Sequence, residues 1–241
     1  MILIDLGNSY AKILKAEQFL TVKTDRIIKW LNKNYFNEVD IFICSVVPHI
    51  TIEIKKLFPR IRILDNKIYN KLFAINNPLL YKKGADRIIT GYGALRKYTN
   101  NLIVIDMGTC ITVDTYINNE YQSGYIFPGL NILRYALTTR VSHLPTPVDP
   151  LTNSKFIIDT ADQMFWGNIY GLIGVINQFV KMEKLKNKVD FQVILTGGTI
   201  KEFENFLKKN QLQDLFTFEH LIDEKLIFYA MKLIINEKII A

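Results

Sequence analysis

The sequence predicts an α/β protein with two lobes, each built on a mixed β-sheet. Two stretches that begin about 100 residues apart share one pattern: an apolar strand, an Asp-x-Gly turn, a second β-rich strand and a third strand. After each stretch, buried strands alternate with amphipathic helices. Hydrophobic residues make up 49% of the 241 residues and charged residues 22%, so the composition excludes disorder for most of the chain.

The first lobe, which we expect over residues 1–100, opens with a β-hairpin and a third strand. Alternating apolar residues around a Gly-containing turn are typical of such a hairpin. The predicted strands are Ile2–Leu6, Tyr10–Lys15 and Phe19–Lys23, with the turn at Gly7–Ser9. Apolar residues at helical spacing then predict three helices around one more buried strand. The helices are Arg26–Asn34, Ile50–Phe58 and Asp86–Tyr98, and the strand is Ile41–Val47.

The second lobe, which we expect over residues 101–241, repeats this opening. Its first three predicted strands are Leu102–Asp106, Ile111–Tyr116 and Tyr121–Ile126, with the turn at Met107–Thr109. The later predicted elements are the helices Arg134–Val141 and Thr160–Leu185, the strand Phe191–Leu195, and the helices Ile200–Lys209 and Glu224–Asn236. Three prolines predict a loop at Leu144–Ser154. We expect a cleft between the lobes that both Asp-x-Gly turns face.

Charge and cysteine content narrow the classes of function. The formal net charge is +7, from 30 basic and 23 acidic residues, but no run of five basic residues occurs. We interpret the excess as surface lysine, which suits an anionic small ligand and predicts no nucleic acid partner. Two cysteines and three scattered histidines exclude a disulfide scaffold and a zinc site. The N-terminal segment lacks the basic leader of a signal peptide, and we expect a cytoplasmic protein.

The uncharged segment Gln163–Val180 has almost the length of a membrane span. It carries several amide side chains, and its glycines recur on one helical face, at Gly167, Gly171 and Gly174. We therefore interpret it as a buried helix that packs closely on a neighbour or on a second subunit, with no role in a membrane.

The first turn, from Asp5 to Lys12, has the composition of a phosphate-binding loop. A glycine turn between strands exposes backbone N–H groups that can bind phosphate oxygens, and Asn8 and Ser9 add side-chain donors. Asp5, at the strand end, can hold a hydrated Mg²⁺. From these residues alone an ordinary polar hairpin turn remains an equal alternative.

Two further glycine turns strengthen the nucleotide interpretation. The segment Asp106–Thr109 has the same form as the first turn, so each lobe offers one phosphate-binding turn, with Thr109 as donor and Asp106 as a cation ligand. The segment Thr196–Gly198 follows a buried strand and precedes a helix, where a nucleoside can approach closely. The sequence contains no P-loop and no dinucleotide-binding G-x-G-x-x-G after its first strand.

The segment Gly84–Arg87 lies at the start of a predicted helix. Asp86 in that position has two interpretations, a helix cap or a carboxylate that holds a substrate hydroxyl. Arg87 is either surface charge or a partner for an anionic group.

Taken in order, these motifs resemble those of the type III pantothenate kinases, within the superfamily of acetate and sugar kinases, Hsp70 and actin. The resemblance spans nearly the whole chain. The matching segments are Asp5–Lys12 (DLGNSYAK), Ser45–Pro48 (SVVP), Gly84–Arg87 (GADR), Asp106–Asp114 (DMGTCITVD), Gly124–Gly129 (GYIFPG) and Thr196–Gly198 (TGG). The sequence departs from the family pattern at Cys110, where alanine is usual, at Ser123, where glycine is usual, and at Gln163, where alanine is usual.

The resemblance implies a duplicated ribonuclease H-like (actin-like ATPase) fold with an interlobe nucleotide cleft, and ATP-dependent phosphorylation of pantothenate, the first step of coenzyme A biosynthesis. It implies Mg²⁺ with ATP, a monovalent cation (K⁺ or NH₄⁺) at Asp106, and a homodimer. The residues implied to bind ATP are Asp5, Leu6, Gly7, Asn8, Ser9, Tyr10, Ala11, Lys12 and Thr109. The residues implied to bind pantothenate are Tyr81, Gly84, Ala85, Asp86, Arg87 and Thr160, with Asp86 as the proton acceptor.

Two alternatives stay open at this point. Another small-molecule kinase of the superfamily, acting on a sugar or acetate, would share the ATP turns but should lack the GADR segment. A non-catalytic nucleotide-binding regulator or an actin-like polymerising protein would use its positive charge to contact nucleic acid. No basic stripe with interleaved aromatic residues supports the second alternative.

Overall fold

The computed structural model describes residues 1–35, 38–65, 68–73, 82–141, 143–145 and 159–239. Contacts between Cα atoms divide the chain into two compact units. The first unit joins Met1–Tyr98 to Lys225–Ala241, and the second is Thr99–Glu224.

The first unit contains a five-stranded mixed sheet in the order β3-β2-β1-β4-β5. Strands β1, β2 and β3 are antiparallel, whereas β4 pairs parallel with both β1 and β5. The strands are β1 (Ile2–Leu6), β2 (Tyr10–Lys15), β3 (Gln18–Lys23), β4 (Ile41–Ser45) and β5 (Arg62–Leu64). The helices are α1 (Ile27–Asn34), α2 (Pro48–Leu57), α3 (Tyr69–Leu72), α4 (Ala85–Lys97) and, from the end of the chain, α8 (Leu226–Asn236).

The second unit has a sheet of its own in the order β10-β9-β6-β7-β8. Strands β6, β7 and β8 are antiparallel, and β9 pairs parallel with β6 and β10. The strands are β6 (Leu102–Met107), β7 (Cys110–Ile117), β8 (Glu120–Pro128), β9 (Gln192–Thr196) and β10 (His220–Ile222). The helices are α5 (Leu130–Ala136), α6 (Thr160–Asn187) and α7 (Ile200–Lys209).

The two sheets have the same topology. Read from β8, the second sheet runs β8-β7-β6-β9-β10 and repeats the order and the strand directions of β3-β2-β1-β4-β5. The prediction of a duplicated α/β fold with mixed sheets is therefore confirmed. In both units the central strand is fully apolar apart from one aspartate near its end, so the core forms around β1 and β6.

The C-terminal helix belongs to the first unit, which differs from the expected lobe boundaries of 1–100 and 101–241. Helix α8 packs against α4 and β1. The contact with α4 is close because Gly93 of α4 faces Ala230 of α8. Nearly every residue on the inner face of α8 is buried, and this apolar face packs within the first unit.

One other predicted element needs correction, and three short elements were not predicted. The helix predicted at Arg134–Val141 is α5, which begins earlier, at Leu130 directly after Gly129, and ends earlier, at Ala136. The short strands β5 and β10 and the single turn α3 were not predicted. Most of the predicted loop at Leu144–Ser154 lies outside the described residues.

The long helix α6 packs one apolar face into the core of the second unit. The buried side chains of that face include Ile169, Leu172, Ile173, Ile176 and Val180. Within the described ranges, none of the helices has both the length and the hydropathy that a membrane span requires.

Candidate active site

The first Asp-x-Gly turn ends β1 and presents an ion pair. Asp5 and Lys12 are cross-strand partners in the β1–β2 hairpin, so their side chains lie on the same face of the sheet. The Lys12 Nζ atom lies 3.2 Å from the Asp5 Oδ2 atom. Asp5 is only 9% exposed, while Leu6 and Ala11 beside it are fully buried in the core. The carboxylate is thus held at the edge of the core with a cation beside it.

The backbone of this turn is fixed by Thr24, at the end of β3. The Thr24 hydroxyl donates to the Gly7 carbonyl at 2.7 Å, and the Thr24 N–H donates to the Ser9 carbonyl at 3.1 Å. The Gly7 N–H donates to the Tyr10 carbonyl at 3.1 Å. Asn8 and Ser9, at the tip, are exposed. The turn is therefore rigid at its base, and its tip is accessible to a ligand.

The second turn is related to the first but is one residue shorter. Three residues separate the paired Met107 and Ile111, whereas four separate Leu6 and Ala11. Its Gly108 N–H donates to the Cys110 carbonyl at 3.1 Å. Thr109 is exposed. The predicted repeat of the two turns is thus real in backbone form, with a tighter bend in the second unit.

Two glycines from other strands pack against the second turn. A Cβ atom on Gly129 would overlap the carbonyl oxygens of Gly108 and Thr109, and the Gly129 N–H donates to the Thr109 carbonyl at 3.0 Å. A Cβ atom on Gly197 would overlap the Asp106 carboxylate and the Met107 backbone, and Gly197 has a φ of 105°, which favours glycine. The GYIFPG and TGG segments therefore meet the DMGT segment at one place.

The TGG segment meets this turn because β9 and β6 are parallel neighbours. Thr196 pairs with Asp106, so the two strands end side by side. After the glycines, Thr199 donates to the Met107 carbonyl through both its N–H (3.1 Å) and its hydroxyl (2.8 Å). Thr199 supports the second turn as Thr24 supports the first. Neither threonine could be predicted from the sequence, because neither lies in a motif and each acts on a turn distant in the chain.

The GADR segment begins α4 and lies beside the first turn. The Val46 N–H donates to the Leu6 carbonyl at 3.2 Å, and a Cβ atom on Gly84 would come within 3.3 Å of Val46 Cγ1. The SVVP segment thus connects the end of β1 to the start of α4. The first unit therefore brings together the first turn, the SVVP segment and GADR.

Asp86 lies in the first turn of α4, where the helix dipole favours a negative charge. Its Oδ1 atom accepts a hydrogen bond from the Arg87 N–H at 2.8 Å. A Cβ atom on Gly84 would overlap that carboxylate, so the glycine leaves room for it. Asp86 and Arg87 are both partly exposed. The carboxylate is thus positioned by the backbone and remains accessible to a substrate.

The structure places Thr160, another of the predicted substrate residues, on the second unit, and it does not describe Tyr81. Thr160 is the first residue of α6 and is exposed, and the helix is capped by Asp159, whose side chain accepts from the Asp162 N–H at 2.8 Å. Tyr81 lies outside the described residues.

Asp106 lies near the end of β6, where the TGG segment packs against it. Its carboxylate lies against Gly197, which places no side chain in front of it, and oxygen ligands suit hard cations. Among the described residues no group of three or more His, Cys, Asp and Glu side chains could hold a metal ion. Mg²⁺ in phosphoryl-transfer sites needs no such group, since it is usually held by one or two carboxylates together with the phosphates. Asp5 could supply one such carboxylate.

A buried carboxylate, Glu183 of α6, anchors the strand that leads to Gly129. Glu183 is fully buried and accepts hydrogen bonds from the Ser123 and Tyr125 hydroxyls of β8, both at 2.7 Å. Burial by itself would raise the pKa of Glu183, but the hydrogen bonds from Tyr125 and Ser123, with smaller contributions from Thr115 and the Lys186 charge, outweigh it, and the pKa lies below its usual value. The bond to Glu183, followed by burial, raises the pKa of Tyr125 to about 12.

Solved structures of similar proteins identify the fold. A protein from Campylobacter jejuni described as a Baf family transcriptional activator matches with a TM-score of 0.65 and 22% identity over 98% of each chain. An activator of 2-hydroxyisocaproyl-CoA dehydratase from Clostridium difficile, solved with bound ADPNP, matches with a TM-score of 0.52 and 11% identity over 100% of this chain and 98% of its own. An archaeal actin homolog gives a TM-score of 0.52 at 10% identity over 99% and 100% of the two chains. The fold is the duplicated ribonuclease H-like fold of the actin-like ATPases.

Sequence relatives identify the family. The family model described as type III pantothenate kinase matches residues 1–182. A type III pantothenate kinase of Thermosipho africanus is 30% identical over 89% of this chain and 93% of its own length. One from Pelagibacter ubique is 28% identical over 85% of this chain and 89% of its own. On this evidence, added to the turns and the GADR helix, the chain belongs to the type III pantothenate kinase family.

Proposed function

We propose that Asp86 accepts the hydroxyl proton of pantothenate while ATP, bound at the two Asp-x-Gly turns, donates its γ-phosphoryl group. Family membership makes the protein an ATP-dependent phosphotransferase that converts pantothenate to 4′-phosphopantothenate, the first step of coenzyme A biosynthesis. One observation supports the role of Asp86 above all. The helix that carries it starts beside Val46, which is hydrogen-bonded to the end of the Asp5 strand.

ATP is proposed to bind at both turns through backbone and side-chain donors. In the first unit the turn tip is exposed and its base is fixed by Thr24, so little conformational entropy is lost when phosphate binds. The residues proposed there are Asp5, Leu6, Gly7, Asn8, Ser9, Tyr10, Ala11 and Lys12. In the second unit the proposed ligand is Thr109, which is exposed, and a threonine hydroxyl can donate a hydrogen bond to phosphate.

Pantothenate is proposed to bind at the start of α4 and at Thr160, with Tyr81 as a further contact. Gly84 and Ala85 allow the substrate to approach the backbone, and Arg87 offers a cation for an anionic group. Because Gly84 lacks a side chain, the Asp86 carboxylate keeps its space at the helix start.

The chemistry demands positioning and neutralisation of charge more than proton removal. Phosphoryl transfer passes through a loose transition state, so the hydroxyl loses its proton late. A carboxylate of ordinary acidity is ionised at neutral pH and can accept that proton. General-base assistance of this kind contributes on the order of 10²- to 10⁴-fold. Asp86 meets the requirement because the helix start and the Arg87 N–H hold its carboxylate in place.

Two cations are proposed to assist. Mg²⁺, which accompanies ATP in such transfers, supplies charge neutralisation on the phosphates when bound, and Asp5 is the carboxylate that would hold it, directly or through water. A monovalent cation, K⁺ or NH₄⁺, would be held at Asp106. Rates measured with the chloride salts of potassium, ammonium and sodium test this assignment. Equal rates in all three salts would remove the monovalent cation from the mechanism.

A homodimer in the cytoplasm is the proposed form of the protein. The glycines of α6 form a stripe on its exposed face, and a Cβ atom on Gly167, Gly171 or Gly174 would meet nothing within 4 Å. Tyr170 on the same face is 47% exposed. A stripe without side chains beside a large exposed aromatic ring is suited to close packing against the same helix of a second copy.

The Asp86→Asn variant tests the proposed mechanism in an assay that couples ADP release to pantothenate. We expect turnover to fall by about 10²- to 10⁴-fold while ATP still binds, because only the proton acceptor is lost. Asp190→Asn, which changes an exposed aspartate with no assigned role, should leave turnover unchanged. Full activity of Asp86→Asn would disprove the role of Asp86. A panel of sugars and acetate in the same assay checks the choice of substrate.

A further inference from the structure

We propose that Gly93 and Ala230 are positioning residues for the phosphoryl transfer, because their contact fixes the depth at which the helix carrying Asp86 lies in the first unit. The proposal rests on the role of Asp86 given above. Neither residue touches the reacting groups, and both act through the position of α4.

The contact between the two residues is unusually close. Gly93 is buried in the middle of α4, and a Cβ atom there would overlap the Ala230 Cβ atom, approach the Ala230 Cα atom to 3.0 Å and approach its nitrogen to 3.4 Å. Ala230 is fully buried in α8. The backbones of α4 and α8 can approach this far only because one position lacks a side chain and the other carries a single methyl group.

Helix α8 is a common support for both parts of the site in the first unit. It contacts α4, which begins with Asp86, and β1, which ends near Asp5. The distance between those two carboxylates therefore depends on where α8 holds α4. Two further contacts join the helices: the Tyr92 hydroxyl donates to Glu237 Oε2 at 2.6 Å, and the Lys97 ammonium lies 5.1 Å from the centre of the Tyr229 ring.

A displacement of α4 at Gly93 would move Asp86 by nearly the same distance, because both residues lie on this helix. The two residues are separated by about two turns of helix, roughly 10 Å along the axis. A helix of this length moves as a rigid body, since closely packed interiors transmit strain. A misplacement of about 1 Å in a reacting geometry can cost on the order of 10²-fold in rate. The start of α4 lies beside the SVVP segment, since a Cβ atom on Gly84 would come within 3.3 Å of Val46 Cγ1, so a shift of α4 changes the position of Asp86 relative to the end of β1.

An ordinary packing role predicts a different result. If the contact only stabilises the fold, Gly93→Ala lowers the melting temperature, and the molecules that remain folded turn over at the wild-type rate. If the contact positions α4, the folded molecules turn over slowly. The two roles are therefore separated by kcat per folded enzyme, measured well below the melting temperature.

The experiment compares Gly93→Ala, Ala230→Gly and the double variant in the coupled assay. We expect kcat of folded Gly93→Ala to fall by about tenfold or more. The double variant should recover to within about threefold of wild type, because removing the Ala230 methyl group makes room for the new one. Wild-type kcat in folded Gly93→Ala, or a double variant no faster than the single one, would overturn the proposal.

Two controls keep the test decisive. If Gly93→Ala does not fold, Ala230→Ser takes its place, because it adds one atom to the same contact from the side of α8. We expect kcat of folded Ala230→Ser to be lower than that of wild type. A wild-type kcat in this variant would overturn the proposal. Asp86→Asn is assayed in parallel. An active Asp86→Asn rejects the proposed function, whereas an inactive one beside a fully active Gly93→Ala rejects only the positioning role.

Discussion

At the residue scale, the site depends on small side chains that let backbones touch. Gly129 and Gly197 both press on the second turn, and the motifs that contain them could be recognised in the sequence. What those glycines contact could not be predicted, since the partners lie 20 to 91 residues away in the chain. The hydroxyl groups of Thr24 and Thr199 were missed for the same reason.

Cys110 provides a direct report on the proposed ATP turn. It is exposed and follows Thr109, whereas Cys44 is buried. We expect N-ethylmaleimide to modify Cys110 alone, and Mg-ATP to slow the modification at least severalfold by covering the turn. Mass spectrometry of the alkylated peptides, with and without nucleotide, measures the effect.

Protection must be specific to nucleotide for this interpretation to hold. Inorganic sulfate at the same ionic strength serves as the control ligand, and the Cys110→Ala variant should take up no label. Equal rates of labelling with and without Mg-ATP would contradict an ATP contact at Thr109.

At the scale of elements, the hairpins and long helices could be predicted from the sequence, but the short edge strands β5 and β10 could not. Strands β5 and β10 have three residues each, which is too short for an alternation of apolar and polar residues to be recognised. Each strand is held in its sheet by pairing with a parallel neighbour. Helix α5 starts earlier than its apolar spacing suggested, because Gly129 is fixed against the second turn and the chain turns into a helix directly after it.

The Glu183 cluster shows how an element can be anchored by a residue that sequence analysis overlooks. Glu183 lies in a lysine-rich helix end that resembles a solvated surface, yet it is fully buried against β8. Its partners Ser123 and Tyr125 lie about 60 residues earlier. Both residues donate hydroxyl hydrogen bonds to the carboxylate.

Tyr125→Phe should destabilise the protein most at neutral pH, by about 1.5–3 kcal/mol, the usual value for a hydrogen bond to a charged group. The lowered pKa of Glu183 gives stability that is present above the ordinary pKa of glutamate and lost as the pH falls through the folded value. The raised pKa of Tyr125 gives stability that is present below about 10 and lost as the pH rises toward about 12. The difference between wild type and variant should therefore shrink at both extremes.

Urea unfolding across a pH series measures this difference. Tyr135→Phe is the matched control, since Tyr135 is 47% exposed and its hydroxyl has no assigned role. A wild-type advantage that stays constant from acid to alkaline pH would show that the Tyr125 bond does not respond to ionisation.

At the scale of the whole molecule, the duplication could be predicted but the path of the chain end could not. The two Asp-x-Gly openings are visible in the sequence and do form equivalent hairpins. The apolar face of α8 is equally visible, but nothing in its pattern shows which core it joins. Contacts between residues far apart in the chain, among them Ala230 against Gly93 and Tyr92 with Glu237, place the helix in the first unit.

The proposed dimer makes a prediction for the exposed stripe of α6. Gly171→Arg adds a long charged side chain where a Cβ atom meets open space within the chain, so the monomer should fold with little change in melting temperature. In a dimer that packs through this stripe the same side chain would clash, and the mass in solution should fall to about half. Light scattering at micromolar concentration measures the molecular mass in solution. Lys184→Arg, at the exposed end of the same helix, is the control and should leave the mass unchanged. An unchanged mass would place the subunit contact elsewhere.

The position of α8 also affects how the protein is made. Residues 226–236 are translated after the entire second unit, yet they complete the interior of the first. During synthesis, the surfaces of α4 and β1 that α8 covers in the folded protein therefore stay without this partner until the second unit has emerged from the ribosome. Synthesis in this order favours early folding of the middle of the polypeptide and late closure of its beginning.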